Sequence, residues 1–295
     1  MRYQGRVYRP PSEARSLIIQ ATLACPHNKC AFCSMYKGRK FRVRPLAEIV
    51  EDLDLALEAY GPDRVSTIFL ADGNTAVLPT DKLITIGHEA KRRFPRLKRI
   101  TAYGSAKFLR KKSLEEWRRV AAAGLTRIHS GLESGDARTL ADINKGVTPN
   151  EAAAAYSHVK EAGIELSVYL MVGLAGTERW REHALGSAEV LSRTPPDFIR
   201  LRTFVPQPAT PWHQRWLDGK LTLPSAHQAL RETRLLVENL SGPTTLLSDH
   251  ASNFLDLSGR IPQEKSSLLD HIDEALDRPL EAFRPPTEQL VGLGL

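Results

Sequence analysis

Three cysteines, Cys25, Cys30 and Cys33, fall within the run CPHNKCAFC, and the 295-residue chain has no others. In a reducing compartment such close-set thiols favour metal over disulfide. Three thiolates without a fourth can hold three corners of an iron–sulfur cube and leave one iron open for chemistry. A tetrahedral zinc site usually takes four protein ligands, and His27 is the nearby candidate for the fourth. A Cys-and-His zinc site is therefore the competing reading. The position of the run speaks for the cluster. It follows an apolar, strand-like stretch, Leu17 to Leu23, and the active sites of βα barrels lie at the C-terminal ends of their strands.

The elements that must position these thiols alternate along the chain. Short apolar runs and longer amphipathic ones predict repeated βα units around a parallel sheet. After Leu17–Leu23 the predicted strands are Val65–Leu70, Arg99–Tyr103, Thr126–Leu132, Leu166–Gly173 and Asp197–Val205. Helices are expected near 46–60, 81–94, 113–124, 136–143, 149–162 and 177–192. Ser113 with Glu116 three residues on reads as a capping box. Six βα units predict an α/β chain folded as a partial (β/α)6 TIM-like barrel with a C-terminal helical cap; the eight units of a closed barrel are not evident. The expected division is an arm (1–14), a core (15–217) and a cap with tail (218–295). The cap would contain a helix over 225–240, a strand-like TTLLSDH and a helix over 263–275, and the chain from Arg278 on is expected to be loosely ordered.

Composition fits an ordinary globular protein, with 42% hydrophobic and 25% charged residues. No apolar run approaches a membrane span, and the first residues lack an apolar signal core, so a cytoplasmic protein is expected. The net charge of +7 suits an anionic partner without requiring one.

With these motifs in order, the chain resembles the radical S-adenosylmethionine (SAM) superfamily over roughly residues 15 to 217. The resemblance rests on CPHNKCAFC, with Phe32 in the aromatic slot before the last cysteine, and on LADGN (Leu70–Asn74), where the family carries a Gly-Gly-Glu-like motif. HSGLESGD (His129–Asp136) and INKGVT (Ile143–Thr148) come next, as in the branch of the Elongator catalytic subunit and the coproporphyrinogen dehydrogenases. YLMVGLAGT (Tyr169–Thr177) and RLRTFVPQPATP (Arg200–Pro211) complete the series.

The resemblance implies that Cys25, Cys30 and Cys33 hold a 4Fe–4S cluster whose fourth iron binds SAM. It implies that Phe32, Asp72, Gly73, Asn74, Ser105, Ser130, Glu133, Gly173, Arg202 and Val205 contact that cofactor. The expected chemistry is reductive cleavage to a 5′-deoxyadenosyl radical. The expected partners are a small, anionic substrate and a reducing donor such as flavodoxin or ferredoxin, with no membrane. Nucleic acid stays open as a substrate. Two departures from the family pattern bear on this. Four residues rather than three separate Cys25 from Cys30, which keeps transfer of a 3-amino-3-carboxypropyl group as an alternative. Asp72 stands where the family has a longer glutamate. From another class, a zinc-containing nucleic-acid-binding module remains the rival. With no cysteine left for a second cluster, and 24 residues before Cys25 too few for a cobalamin domain, a minimal core is expected.

Asp249 and His250, in the polar run SDHASN, are candidate acid and base, with a plain turn as the competing reading. Arg200 and Arg202 alternate around Leu201 and should share a strand face, where an inward pair would bind an anion. Two basic runs that come after strands, Lys37–Arg44 and Lys107–Lys112, belong near the barrel mouth and, with Trp212, His213, Arg215 and Trp216, would suit a phosphate or carboxylate. A third run, Lys91–Arg99, precedes its strand and should be a solvated face.

Overall fold

A computed structural model describes residues 1–283; the remainder of the expected tail, 284–295, lies outside the described residues. The chain forms two compact units. One comprises residues 1–28, 36–130 and 154–166, and the other residues 29–35, 131–153 and those from 167 on.

The first unit opens with β1 (Leu17–Gln20) and two short strands, β2 (Thr22–Leu23) and β3 (Arg42–Val43), which pair antiparallel. Then come α1 (Leu46–Tyr60), β4 (Thr67–Ala71), α2 (Thr80–Arg93), β5 (Arg99–Tyr103), a short α3 (Ala106–Leu109), α4 (Leu114–Ala122) and β6 (Leu125–Glu133). β1 runs parallel to β4 with Leu17 opposite Ile68, β4 parallel to β5 with Thr67 opposite Arg99, and β5 parallel to β6. Parallel strands are covered on both faces, which is why TIFLA reads as one apolar run. Ile49, Leu53, Leu83, Ile86, Trp117 and Val120 of the flanking helices supply the cover and are almost wholly buried. The capping box at Ser113 is present: Glu116 N–H donates to Ser113 Oγ, and Ser113 N–H donates to Glu116 Oε2.

The first strand is shorter than the pattern predicts. It breaks at Ala21, whose carbonyl accepts from Arg44 N–H, and the next two residues turn away to pair with β3. The Arg44 side chain is fully buried; it donates to Gln20 O (2.8 Å), Asp52 Oδ2 (2.6 Å) and Glu48 Oε2 (3.0 Å). At the other end of β1, Glu13 is buried beside His129, Arg99 and Arg127 and accepts from Ser16 at 2.5 Å. Burial opposes ionisation of Glu13. The bonds from His129 and Ser16 and the charge of Arg99 outweigh it and hold the carboxyl below its usual range.

The second unit takes up the chain at α5 (Ala137–Asp142). Of helix α6 (Pro149–Glu161) and strand β7 (Glu165–Val172), residues 154–166 belong to the first unit and the rest to the second. After them come α7 (Trp180–Arg193), β8 (Phe198–Thr203), α8 (Pro211–Leu217), α9 (Ala226–Asn239), β9 (Thr244–Leu247), β10 (Ser258–Ile261) and α10 (Lys265–Leu276). β7, β8 and β9 are parallel, and β10 returns antiparallel along β9.

The fold class is α/β, with the six βα units of a partial TIM-like barrel. The segment after β8 adds a strand hairpin, β9 with β10, to the expected helices. Ser258–Ile261 escapes the pattern because SGRI has a single aliphatic residue and owes its extended form to β9. Helix α8 hides in a Pro-rich stretch, yet it has the proper start: Thr210 caps His213 N–H and Pro211 stands in the first turn. The described part of the expected loose tail is anchored, because His227 Nε2 donates to Arg278 O at 2.8 Å and Phe283 stacks edgewise on His227 and Phe254.

Candidate functional site

In the first unit, β2 and a left-handed Ala24 (φ 63°) deliver Cys25. Gly73 lies against it, so closely that a Cβ there would come within 2.8 Å of Cys25 Cβ and 2.9 Å of Tyr36 Cε2. Only glycine leaves room for that approach. Asp72 is also left-handed (φ 78°) and buried. Its Oδ2 accepts from Gln20 Nε2 at 2.8 Å, its Oδ1 faces the Tyr36 hydroxyl at 3.4 Å, and the backbone of Ala24 donates to it as well. Burial raises its pKa against these bonds and the Arg39 charge. Asp72 therefore ties the entry of the cysteine loop to the end of β4. Next to it, Asn74 Oδ1 accepts from Ser105 N–H at 3.1 Å, while Asn74 Nδ2 is buried without a partner among the described residues. Ser130 is buried, and its hydroxyl meets that of Tyr156 on α6 at 3.0 Å. Within the loop, Asn28 is left-handed at φ 43°, and its Nδ2 donates to Tyr36 O at 2.7 Å.

In the second unit, Cys30 and Cys33 pack beside a buried cluster of Phe32, Ile143, Leu174, Phe204, Trp212 and Leu221. Ala31, between the cysteines, is clamped on both sides. Its N–H donates to Ile143 O (2.8 Å), and its carbonyl accepts from Trp212 N–H (3.0 Å). Glu133, left-handed at φ 67°, is ion-paired to Lys145 at 2.9 Å, and the same ammonium lies 5.8 Å from the Phe32 ring centre. Gly173 (φ 80°) ends β7; its N–H donates to Glu232 Oε1 at 3.0 Å. His183 bonds the same oxygen through Nδ1 at 2.7 Å and the Glu133 carbonyl through Nε2 at 3.1 Å. Burial disfavours the charged ring, but the carboxylate of Glu232 prevails and raises its pKa. Asp136 caps α5 and accepts from Arg179 at 3.0 and 3.1 Å. Despite the cost of burial, these bonds hold its pKa down to about 2. Arg202 and Val205 lie at and beyond the end of β8, and Asp249 and His250 in the loop after β9.

Sequence alone does not single out Lys145, Trp212, His183 and Glu232 for these roles. Lys145 sits inside the quoted INKGVT run, and only its burial marks it as more than a surface lysine. Trp212, expected to face substrate, is instead spent on the cysteine segment and, through its indole N–H, on Leu174 O (3.2 Å). The basic runs divide in a way the sequence does not announce. Arg44 is consumed by Asp52 and Glu48, and Lys112 is buried with its ammonium on Ala76 O, burial lowering its pKa. Arg93, in the run expected to be solvated, is buried and paired with Asp54 and Glu89. In each case the long stem finds a core position and the charged head finds an acid or a carbonyl.

The residues present fit an iron–sulfur cube. The donor set is three half-buried thiols, none of them in a disulfide. The strand-end cradle at Gly73 admits no Cβ, and a buried amide at Asn74 lacks a partner among the described residues. Among the described residues no three His, Cys, Asp or Glu side chains converge on one ion. A cube asks for something else, because each thiolate binds its own iron.

Residues 19–186 match the family model described as the radical SAM superfamily. A curated relative from Pyrococcus horikoshii, described as an uncharacterized methyltransferase, is 23% identical over 197 residues, covering 65% of this chain and 40% of that protein. The chain thus spans less than half of that relative. Among solved structures, coproporphyrinogen III oxidase from Escherichia coli aligns with a TM-score of 0.55 at 18% identity, over 77% of this chain and 54% of that one. An archaeal Elp3 from Methanocaldococcus infernus aligns at 0.51 and 14% identity, over 79% and 60%. At such identities the solved structures show the fold alone.

Proposed function

The chain belongs to the radical SAM superfamily, and on that premise we propose that it is an enzyme generating a 5′-deoxyadenosyl radical to act on a small, anionic substrate. Enzymes of this superfamily use a 4Fe–4S cluster and SAM and need a reductant. When bound, the pair supplies the one-electron cleavage of a sulfonium S–C bond, which no side chain here can perform. The protein's own residues bind, orient and seal. Cys25, Cys30 and Cys33 would hold the cluster. Asp72, through Gln20, Tyr36 and Ala24, fixes the entry of the loop, and the double clamp on Ala31 fixes its far half. Gly73, Asn74, Ser105, Glu133, Gly173 and Val205 stand at or beyond strand ends, where backbone groups can meet a nucleoside and an amino acid. Ser130 supports from behind through Tyr156. Phe32 and its apolar neighbours keep water from the Cys30–Cys33 side. Residues 15–217 form the core and those from 218 its cap, in a cytoplasmic protein reduced by flavodoxin or ferredoxin.

The observation that carries this reading is the chain's only three thiols, none of them in a disulfide, with one set against a glycine that has no space for a side chain. Product analysis tests it. Anaerobic, reduced protein given SAM should release 5′-deoxyadenosine. Methylthioadenosine in its place would mean transfer of the aminocarboxypropyl group. Purified protein rich in zinc, with no SAM cleaved, would favour the nucleic-acid-binding module.

A further inference from the structure

Strand β8 carries an arginine without an acid. Arg202 is half-buried, and among the described residues its guanidinium makes no hydrogen bond or ion pair; it lies over the Tyr169 ring, 5.2 Å from the centroid. Many arginines so placed are matched by a carboxylate, as Arg44, Arg93 and Arg179 are here. The side chain lies opposite Met171 in the parallel register, on one sheet face with it, and Met171 packs against the cluster that borders Cys30 and Cys33.

A second group is clipped to the same place. Asn253 brackets Arg202 along the strand: its Oδ1 accepts from Thr203 N–H at 2.7 Å, and its Nδ2 donates to Leu201 O at 3.0 Å. Ser252 Oγ also accepts from Thr203 N–H, at 3.2 Å. The loop so fixed carries His250. Ser252 N–H donates to His250 Nδ1 at 3.1 Å, which makes Nδ1 an acceptor and places the ring proton on Nε2. Burial and the nearby Arg202 charge, opposed by Asp249, hold the ring neutral, with a pKa of about 4. A histidine in this state is poor at taking a proton at neutral pH. It is well made to donate a hydrogen bond without adding a charge.

We propose that Arg202 and His250 form a binding subsite for a carboxylate. The planar fork of the guanidinium matches two carboxylate oxygens, and the imidazole N–H supplies a further donor. The substrate is the favoured source, because both residues lie beyond the 19–186 span shared with the family, while Arg202 shares a sheet face with Met171 beside the cysteine-bordering cluster. The carboxylate of SAM is the other source. The subsite rests on the proposed reaction for its placement, but not for its test.

The test labels arginines of the anaerobic holoenzyme with phenylglyoxal and tracks Arg202 by peptide mass spectrometry. Acetate or glutarate at millimolar concentration should slow labelling at least fivefold, and H250A should weaken that protection at least threefold. Protection by SAM but not by decarboxylated SAM supports the subsite and assigns it to the cofactor. Protection by glutarate but not by SAM supports it and assigns it to substrate. If acetate, glutarate and SAM all leave the rate unchanged, the subsite is overturned. A protein that binds no SAM yet is protected by glutarate would contradict the proposed reaction and leave the subsite standing.

Discussion

Gly73 shows how one absent atom can place a thiol. G73A would drive a methyl group into Cys25 Cβ and the Tyr36 ring, an overpacking that costs about 1–3 kcal/mol and displaces the thiol. The expected outcome is a folded protein with a lowered melting temperature and less iron per chain after anaerobic reconstitution; wild-type iron content in G73A would refute the role. C30A should lose the cluster while keeping the fold, since the surrounding segment is held by backbone bonds to Ala31. The cysteines and the LADGN run were legible because their chemistry is local and written in a few adjacent letters. His183 and Glu232 were not. They meet across 49 residues of sequence, and neither helix face announces its partner.

That pair also sets the behaviour of the elements it joins. The His183 ring links α7 to α9 and to the end of β6, and the same carboxylate holds the end of β7. The folded-state pKa of His183 is raised above its ordinary value of 6.5. Its stabilising effect is therefore complete below that value and is lost as pH rises through the folded one. Thermal stability should fall on the alkaline side, and H183Q should lack that slope. H183Q should also be destabilised by about 3–5 kcal/mol, the usual cost of stranding one partner of a buried pair. A wild-type melting temperature flat from pH 6 to 10 would contradict this. The βα rhythm itself was legible, since parallel strands and amphipathic helices differ in period. The break in the first strand was not, because it depends on Arg44 reaching back from a later segment to Ala21 and Gln20. Helix α8 and strand β10 were missed for the same kind of reason: one is masked by prolines and the other is shaped by its partner.

Over the whole molecule, charge is unevenly spread. Residues 1–47 hold ten lysines and arginines against one acid, Glu13, whereas the chain overall holds 41 against 34, so the remainder is nearly neutral. The positive field is thus concentrated in the sequence that contains and flanks the cysteine loop. If an acidic electron carrier is the reductant, SAM cleavage driven by it should fall about tenfold between low and high salt, while cleavage driven by dithionite should hardly change. Equal salt dependence of the two would argue against a steering role. Composition revealed the net charge, but only the fold shows that Arg44, Arg93 and Lys112 are spent internally while Arg202 is not.

The proposed function turns on three thiolates carrying a cluster with one iron free for SAM. Electron paramagnetic resonance of the anaerobic, dithionite-reduced protein, recorded with and without SAM, decides it. The expected spectrum is that of a reduced 4Fe–4S cluster, absent in C30A, whose g-values shift when SAM is added. A protein without that signal after reconstitution, or a cluster signal that SAM leaves unmoved, would contradict it.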